Sequence, residues 1–187
     1  MSHMQLLGMV VAVWIISELA VAVVKRSHGE GRRRDRGSFI LLWILVSGAA
    51  LAGSMLRGLP ATRIAHGDAV FWTGIALIAA GILLRGAAIA TLRQYFTVDV
   101  TIREDHQLIE HGLYGLVRHP AYTGSLLSFL GLGLAFGNWL SLAVVFLVAA
   151  GAFAYRIVVE ERALIEHFGD RYREYARRTK RLIPGVY

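Results

Sequence analysis

The chain has 187 residues, of which 56% are apolar and 18% charged, with a formal net charge of +7 and a mean hydropathy of +0.52. A soluble domain carries about 25% charged residues, so the composition excludes an ordinary water-soluble globule and points to a polytopic membrane protein. The lack of cysteine excludes a disulfide framework, a thiolate nucleophile and cysteine-ligated zinc or iron–sulfur sites.

Met1 to Met4 resembles a cloning scar, so His3 is given no functional weight. A helix needs about 20 predominantly apolar residues to cross a bilayer core of about 30 Å. Five runs are read as spans: 5–24, 38–56, 69–90, a shorter one at 121–137, and 140–159. The last two are separated by Asn138-Trp139 and form a tight helical hairpin. No run alternates with period two, so helices rather than a barrel are expected. The expected fold class is therefore all-α, one polytopic membrane domain over 1–187 with three N-terminal spans in 1–90.

Loop one carries Lys25, Arg26, Arg32, Arg33, Arg34 and Arg36, loop three carries Arg93, Arg103 and Arg118, and the tail from Arg156 carries eight more basic residues. With five alternating spans these fall on one side, which then holds 17 of the 20 lysines and arginines. The positive-inside rule makes that side cytoplasmic and the N-terminus external, as expected for the plasma (inner) membrane of a prokaryote. The net charge is explained by anionic headgroups, each basic residue near the surface contributing about 1 kcal/mol; no nucleic-acid partner is expected.

Inside the spans, Glu18 and Arg85 sit at matched depth, Glu18 about 9 Å from the inner end. They either pair within the bundle or line a cavity. Gly74, Gly81 and Gly86 in span three, and Gly133 and Gly137 in the hairpin, fit close helix packing.

The third loop mixes apolar residues with Tyr114, Arg118, His119 and Tyr122, which predicts an ordered segment folded against the bundle. Pro120 suits the first turn of a helix, which fixes Arg118 and His119 at a helix N-terminus that attracts anions. His106, His111 and His119 match no compact metal-ligand spacing, so no metal is expected. In the tail, Arg156 and Glu160 share a helix face while Glu161 turns about 100° away. An adjacent carboxylate pair at the mouth of a bundle calls for a cation. Leu164, Phe168 and Tyr172 or Tyr175 recur at near-helical spacing and form an apolar docking face.

Val117-Arg118-His119-Pro120-Ala121-Tyr122-Thr123-Gly124, then Glu160-Glu161-Arg162-Ala163-Leu164 with Phe168-Gly169, Tyr172 and Tyr175, then Arg181-Leu182-Ile183-Pro184, resemble the isoprenylcysteine carboxyl methyltransferase family. More broadly they resemble the integral-membrane methyltransferases that include phospholipid N-methyltransferases. The likeness covers 92–187; Gly112-Leu113-Tyr114 departs from the family's usual Gly-Pro-Tyr. The resemblance implies a cytoplasmic S-adenosylmethionine site built from the loop and tail over the hairpin. It implies cofactor contacts at Leu108, Gly112, Tyr114, Val117, His119, Tyr122, Glu160 and Glu161, and catalytic roles for Arg118, Arg156 and Glu160. No Gly-x-Gly-x-x-Gly follows a strand, so a soluble Rossmann-type site is not expected.

The implied reaction is in-line methyl transfer to a lipophilic or lipidated acceptor reached from the bilayer. A carboxylate acceptor needs no base; an amine or thiol would use Glu160 or His119. Two rival readings stand beside this. A membrane reductase of the sterol and steroid type would use NADPH, and a non-catalytic scaffold or transporter would depend on Glu18 and Arg85. Neither the methyl acceptor nor the oligomeric state is specified by the sequence.

Overall fold

The computed structural model describes residues 1–24, 32–35, 37–96, 100–102 and 107–187, with side chains for all of these except 32–35 and 100–102. Lys25, Arg26, Arg36, Arg103 and His106, which enter the sequence reading, lie outside the described residues.

Four helices are long and apolar enough to cross a membrane among the described residues: α1 (His3–Val24), α2 (Gly37–Leu56), α3 (Gly67–Leu92, with a 3₁₀ turn continuing it to Tyr95) and α6 (Trp139–Phe168). The fifth expected span is α5 (Pro120–Ala135), whose 16 residues reach about 24 Å, less than the bilayer core. The described residues also form two short α-helices, α4 (Leu113–Leu116) and α7 (Asp170–Arg178), and a 3₁₀ turn at Pro60–Thr62. Two strands, β1 (Arg32–Asp35) and β2 (Val100–Ile102), pair antiparallel with Arg32 opposite Ile102. The β-branched Val-Thr-Ile triplet favours extended backbone, whereas Arg-Arg-Arg-Asp carries no strand periodicity. That is why an all-helical reading does not anticipate this ribbon.

The α3–α5 pair forms the centre of the bundle, and glycines set its distance. A Cβ built on Gly74 would lie 2.6 Å from Gly131 O, and one on Gly124 would lie 2.6 Å from Gly81 O. Gly74 and Gly81 on α3 thus face Gly131 and Gly124 on antiparallel α5, two helical turns apart on each, so the backbones touch. Gly86 meets nothing within 4 Å, so helix packing does not explain that glycine. Gly131→Val is expected to destabilise the fold by about 1–3 kcal/mol through overpacking, whereas Gly86→Ala is expected to be neutral or stabilising. Thermal unfolding of both variants in detergent checks this, and equal midpoints would contradict it.

The hairpin between α5 and α6 turns at Gly137, whose φ of 65° suits glycine. Gly133 packs there too, since a Cβ on it would lie 2.9 Å from Leu142 Cα. Asn138 is fully buried and caps α6, accepting from Leu140 N and Ser141 N at 2.9 and 3.1 Å. Its amide donates to Leu59 O and Thr62 Oγ1, tying the cap to the α2–α3 connection. At the opposite end α6 continues about 14 Å past the apolar run, and Glu160 and Glu161 open that extension. By contrast α1 buries only Leu7 and Trp14, the latter meeting Phe129 edge to face at 4.8 Å.

Candidate active site

The start of α5 is organised by the C-terminal tail. Arg118 N donates to Lys180 O at 2.8 Å and His119 N to Arg181 O at 3.0 Å, a short parallel bridge just before Pro120. Thr123 Oγ1 donates to Leu182 O at 2.9 Å, and Tyr175 Oη on α7 donates to Tyr114 O at 2.6 Å. The tail therefore straps the Arg-His-Pro turn against the end of α6.

The two adjacent glutamates do different work. Glu161 is 7% exposed and accepts from Arg118 Nε at 2.8 Å and Arg181 Nη2 at 2.8 Å, with His119 Nε2 at 3.4 Å. Arg118 also donates Nη1 to Ala176 O at 3.0 Å and to Thr179 O, capping the end of α7. Glu161 and Arg118 thus form a clamp joining loop, α6 and tail.

Glu160, one residue earlier and on another face, accepts from Tyr122 Oη at 2.6 Å. Arg156 donates Nε to that same phenol oxygen at 2.9 Å and Nη1 to Ser38 Oγ at 3.1 Å. Its guanidinium lies 5.6 Å over the Phe39 ring. The Tyr122 ring stacks on His119 with centroids 5.6 Å apart and also contacts Phe153. A chain of polar contacts therefore runs Ser38, Arg156, Tyr122, Glu160 from α2 across α6 and α5.

This chain borders a cavity of about 450 Å³, a size suited to a cofactor or small ligand. One end is lined by Gln107, Leu108, Tyr114, His119, Glu160 and Tyr172, the other by apolar residues of α1, α2, α5 and α6 such as Trp14, Leu42, Val46, Phe129 and Phe153. Burial pushes the phenols at the polar end upward: Tyr175 to about 12, and Tyr114 and Tyr172 further still, Tyr114 with added repulsion from Glu160 and Tyr172 from Glu161. They stay protonated, and Tyr175 donates its proton to Tyr114 O. The Tyr172 hydroxyl is buried with no hydrogen-bond partner among the described residues.

Of the expected site residues, Leu108, Tyr114, Arg118, His119, Tyr122, Arg156 and Glu160 line the cavity. Val117 is buried beside the Lys180 bridge, Gly112 borders a neighbouring recess at Thr91 and Tyr95, and Glu161 is turned into its clamp. Tyr172 and Tyr175, expected only as a packing face, line the cavity. Ser38, Arg156's partner from another helix, carries no signal in the sequence because the contact spans 118 positions. Among the described residues no group of three or more His, Cys, Asp or Glu is placed to hold a metal ion.

Residues 69–171 match the phospholipid methyltransferase family. The chain is 30% identical over 161 residues to a probable protein-S-isoprenylcysteine O-methyltransferase of Oryza sativa subsp. indica, covering 83% of this chain and 84% of the relative. Over 115 residues it is 37% identical to protein-S-isoprenylcysteine O-methyltransferase B of Arabidopsis thaliana, covering 60% and 58% of the two chains. A solved structure of the eukaryotic intramembrane Ras methyltransferase, an isoprenylcysteine carboxyl methyltransferase, superposes with a TM-score of 0.63 at 25% identity. That match covers 81% of this chain and 54% of the other, so this chain spans about half the length of that enzyme. The family match includes the α3–α5 pair, the Arg-His-Pro turn and both glutamates, and the rice relative extends it over most of the chain: the protein belongs to the isoprenylcysteine carboxyl methyltransferase family and is an integral-membrane methyltransferase.

Proposed function

We propose that the protein transfers a methyl group from S-adenosylmethionine to a lipophilic acceptor, a carboxylate on a prenylated or other lipid-like molecule. The observation that carries this is one continuous cavity with a polar end at Glu160, Tyr122 and Tyr172 and an apolar end between membrane helices. The reaction needs one reactant of each character side by side. The residues at the polar end fit the cofactor: Glu160 offers a carboxylate to its cationic groups, and the orphaned Tyr172 hydroxyl offers a donor.

When bound, the cofactor supplies an electrophilic methyl on a sulfonium. The chain's own residues bind, orient and exclude water. Arg156, held by Tyr122 and Ser38 at the junction of the two ends, orients an acceptor carboxylate. A carboxylate is already ionised, so no proton has to leave; for an amine or thiol, Glu160 and His119 are the candidate bases. Proximity and orientation supply most of the acceleration. Arg118 and Glu161 act by holding His119 and Tyr122 in register. The polar end opens to the cytoplasm and the N-terminus lies outside, a reading supported by the distribution of basic residues.

Calorimetric titration of the detergent-purified protein with S-adenosylmethionine and S-adenosylhomocysteine tests the reading. Saturable binding of both is expected. A nicotinamide dinucleotide that binds where neither adenosyl ligand does would overturn it in favour of a reductase. Tyr172→Phe sharpens the test through effects of opposite sign. Removing an unpaired buried hydroxyl is expected to stabilise the ligand-free protein by about 1 kcal/mol, while adenosyl-ligand affinity falls about tenfold. Lowered stability with unchanged affinity would remove Tyr172 from the cofactor site.

A further inference from the structure

The methyltransferase reading leaves unused an ion pair in the wall of the same cavity. Glu18 on α1 and Arg85 on α3 both line it, and their side chains are 14% and 15% exposed. Arg85 Nη2 donates to Glu18 Oε2 at 2.8 Å, and Nε lies 2.6 Å from Oε1 without a hydrogen-bonding angle. Arg85 Nη1 reaches Ala121 O at 3.4 Å, in the first turn of α5 beside Tyr122.

An ion pair that served only to join α1 to α3 would hold them less well than an apolar contact, because desolvating two charges offsets most of their attraction. Its position on the cavity wall gives it another use, and counting valences says which. Both carboxylate oxygens of Glu18 face the guanidinium. The guanidinium carries five N–H groups, and among the described residues its partners are Glu18 and, in one long contact, Ala121 O. What the pair presents to the cavity is therefore donor capacity. It suits an oxyanion, because both Glu18 oxygens are turned to the guanidinium while several of the guanidinium N–H groups are not engaged by the described residues.

We propose that Arg85, held in place by Glu18, receives an anionic oxygen of the lipophilic acceptor and so determines which acceptors the enzyme takes. This rests on the methyltransferase reading. The oxygen belongs either to a carboxylate or to a phosphodiester headgroup, and the two sources are separable by experiment.

The full chain in detergent, saturated with S-adenosylhomocysteine, is titrated with a long-chain thioether carboxylate, its primary amide and a dialkyl phosphodiester. The unchanged protein is expected to bind at least one of the two anions about tenfold more tightly than the amide, and whichever anion is favoured identifies the source. Removing both charges in Glu18→Gln/Arg85→Met is expected to reduce that preference, Arg156 retaining the remainder, while amide and S-adenosylhomocysteine affinities stay within about twofold. Arg85→Lys, which keeps the charge but loses the fork, is expected to show an intermediate preference. Anion preference unchanged in both variants, with S-adenosylhomocysteine still bound, overturns the proposal and leaves the methyltransferase reading standing. If the double variant fails to bind S-adenosylhomocysteine, Arg85→Lys decides alone: unchanged preference overturns the proposal and reduced preference supports it. Absence of S-adenosylhomocysteine binding by the unchanged protein overturns the methyltransferase reading itself, and this proposal with it.

Discussion

Glu161→Ala is expected to destabilise the loop-and-tail end by about 3–5 kcal/mol, the cost of leaving buried charges without their partner. Arg118, Arg181 and His119 all converge on this carboxylate, and Arg118 is only 10% exposed at its side chain. Without Glu161 the tail residues 180–182 lose the anchor that presses them on Arg118, His119 and Thr123. Thermal unfolding in detergent, followed with limited proteolysis of the tail, measures this. The tail is expected to become protease-sensitive well below the midpoint of the unchanged protein, and adenosyl-ligand binding is expected to be lost as a consequence. A variant with an unchanged midpoint and a protected tail would show that the clamp does not hold the site together.

Glu160→Gln, one residue away, is expected to behave in the opposite manner. The amide oxygen still accepts from Tyr122 and the side chain keeps its volume, so the unfolding midpoint should move by less than about 1 kcal/mol-equivalent. What disappears is the negative charge at the polar end of the cavity. Charge-assisted contacts are worth about 1.5–3 kcal/mol, so adenosyl-cofactor affinity is expected to fall about ten- to a hundredfold. S-adenosylhomocysteine, which lacks the sulfonium charge, should lose less affinity than S-adenosylmethionine. Equal losses for the two ligands would place Glu160 away from the sulfonium, and a large drop in stability would assign it to the scaffold with Glu161.

The contrast between these glutamates marks the limit of what the sequence discloses. Helical spacing alone puts Glu160 and Glu161 on different faces, and the Arg-His-Pro and Glu-Glu segments point to one site. Which carboxylate faces the cavity and which is clamped between arginines is not encoded locally, because it depends on where the tail returns. Arg181 reaches Glu161 only because residues 180–181 pair with Arg118 and His119. The same holds for Arg118: a cation at a helix N-terminus reads as an anion site, but its donors are engaged by Glu161 and by carbonyls of Ala176 and Thr179. Tyr172 reads as part of an apolar stripe, and only packing puts it on the cavity with its hydroxyl unpaired.

By itself the sequence determined the membrane class, the helical hairpin with its Asn138 boundary and the pairing depth of Glu18 and Arg85. It also pointed to the loop and tail, residues of which line the polar end of the cavity. These follow from hydrophobic run lengths, capping residues and charge placement, all of which act over one or two helical turns. Tertiary structure alone decided that facing glycines bring α3 and α5 into backbone contact and that Ser38 reaches Arg156 from another helix. It also decided that Glu18 and Arg85 both pair and line a cavity. The reason is that cavities and buried polar networks are made by surfaces from segments far apart in the chain, and their complementarity appears only once those surfaces meet.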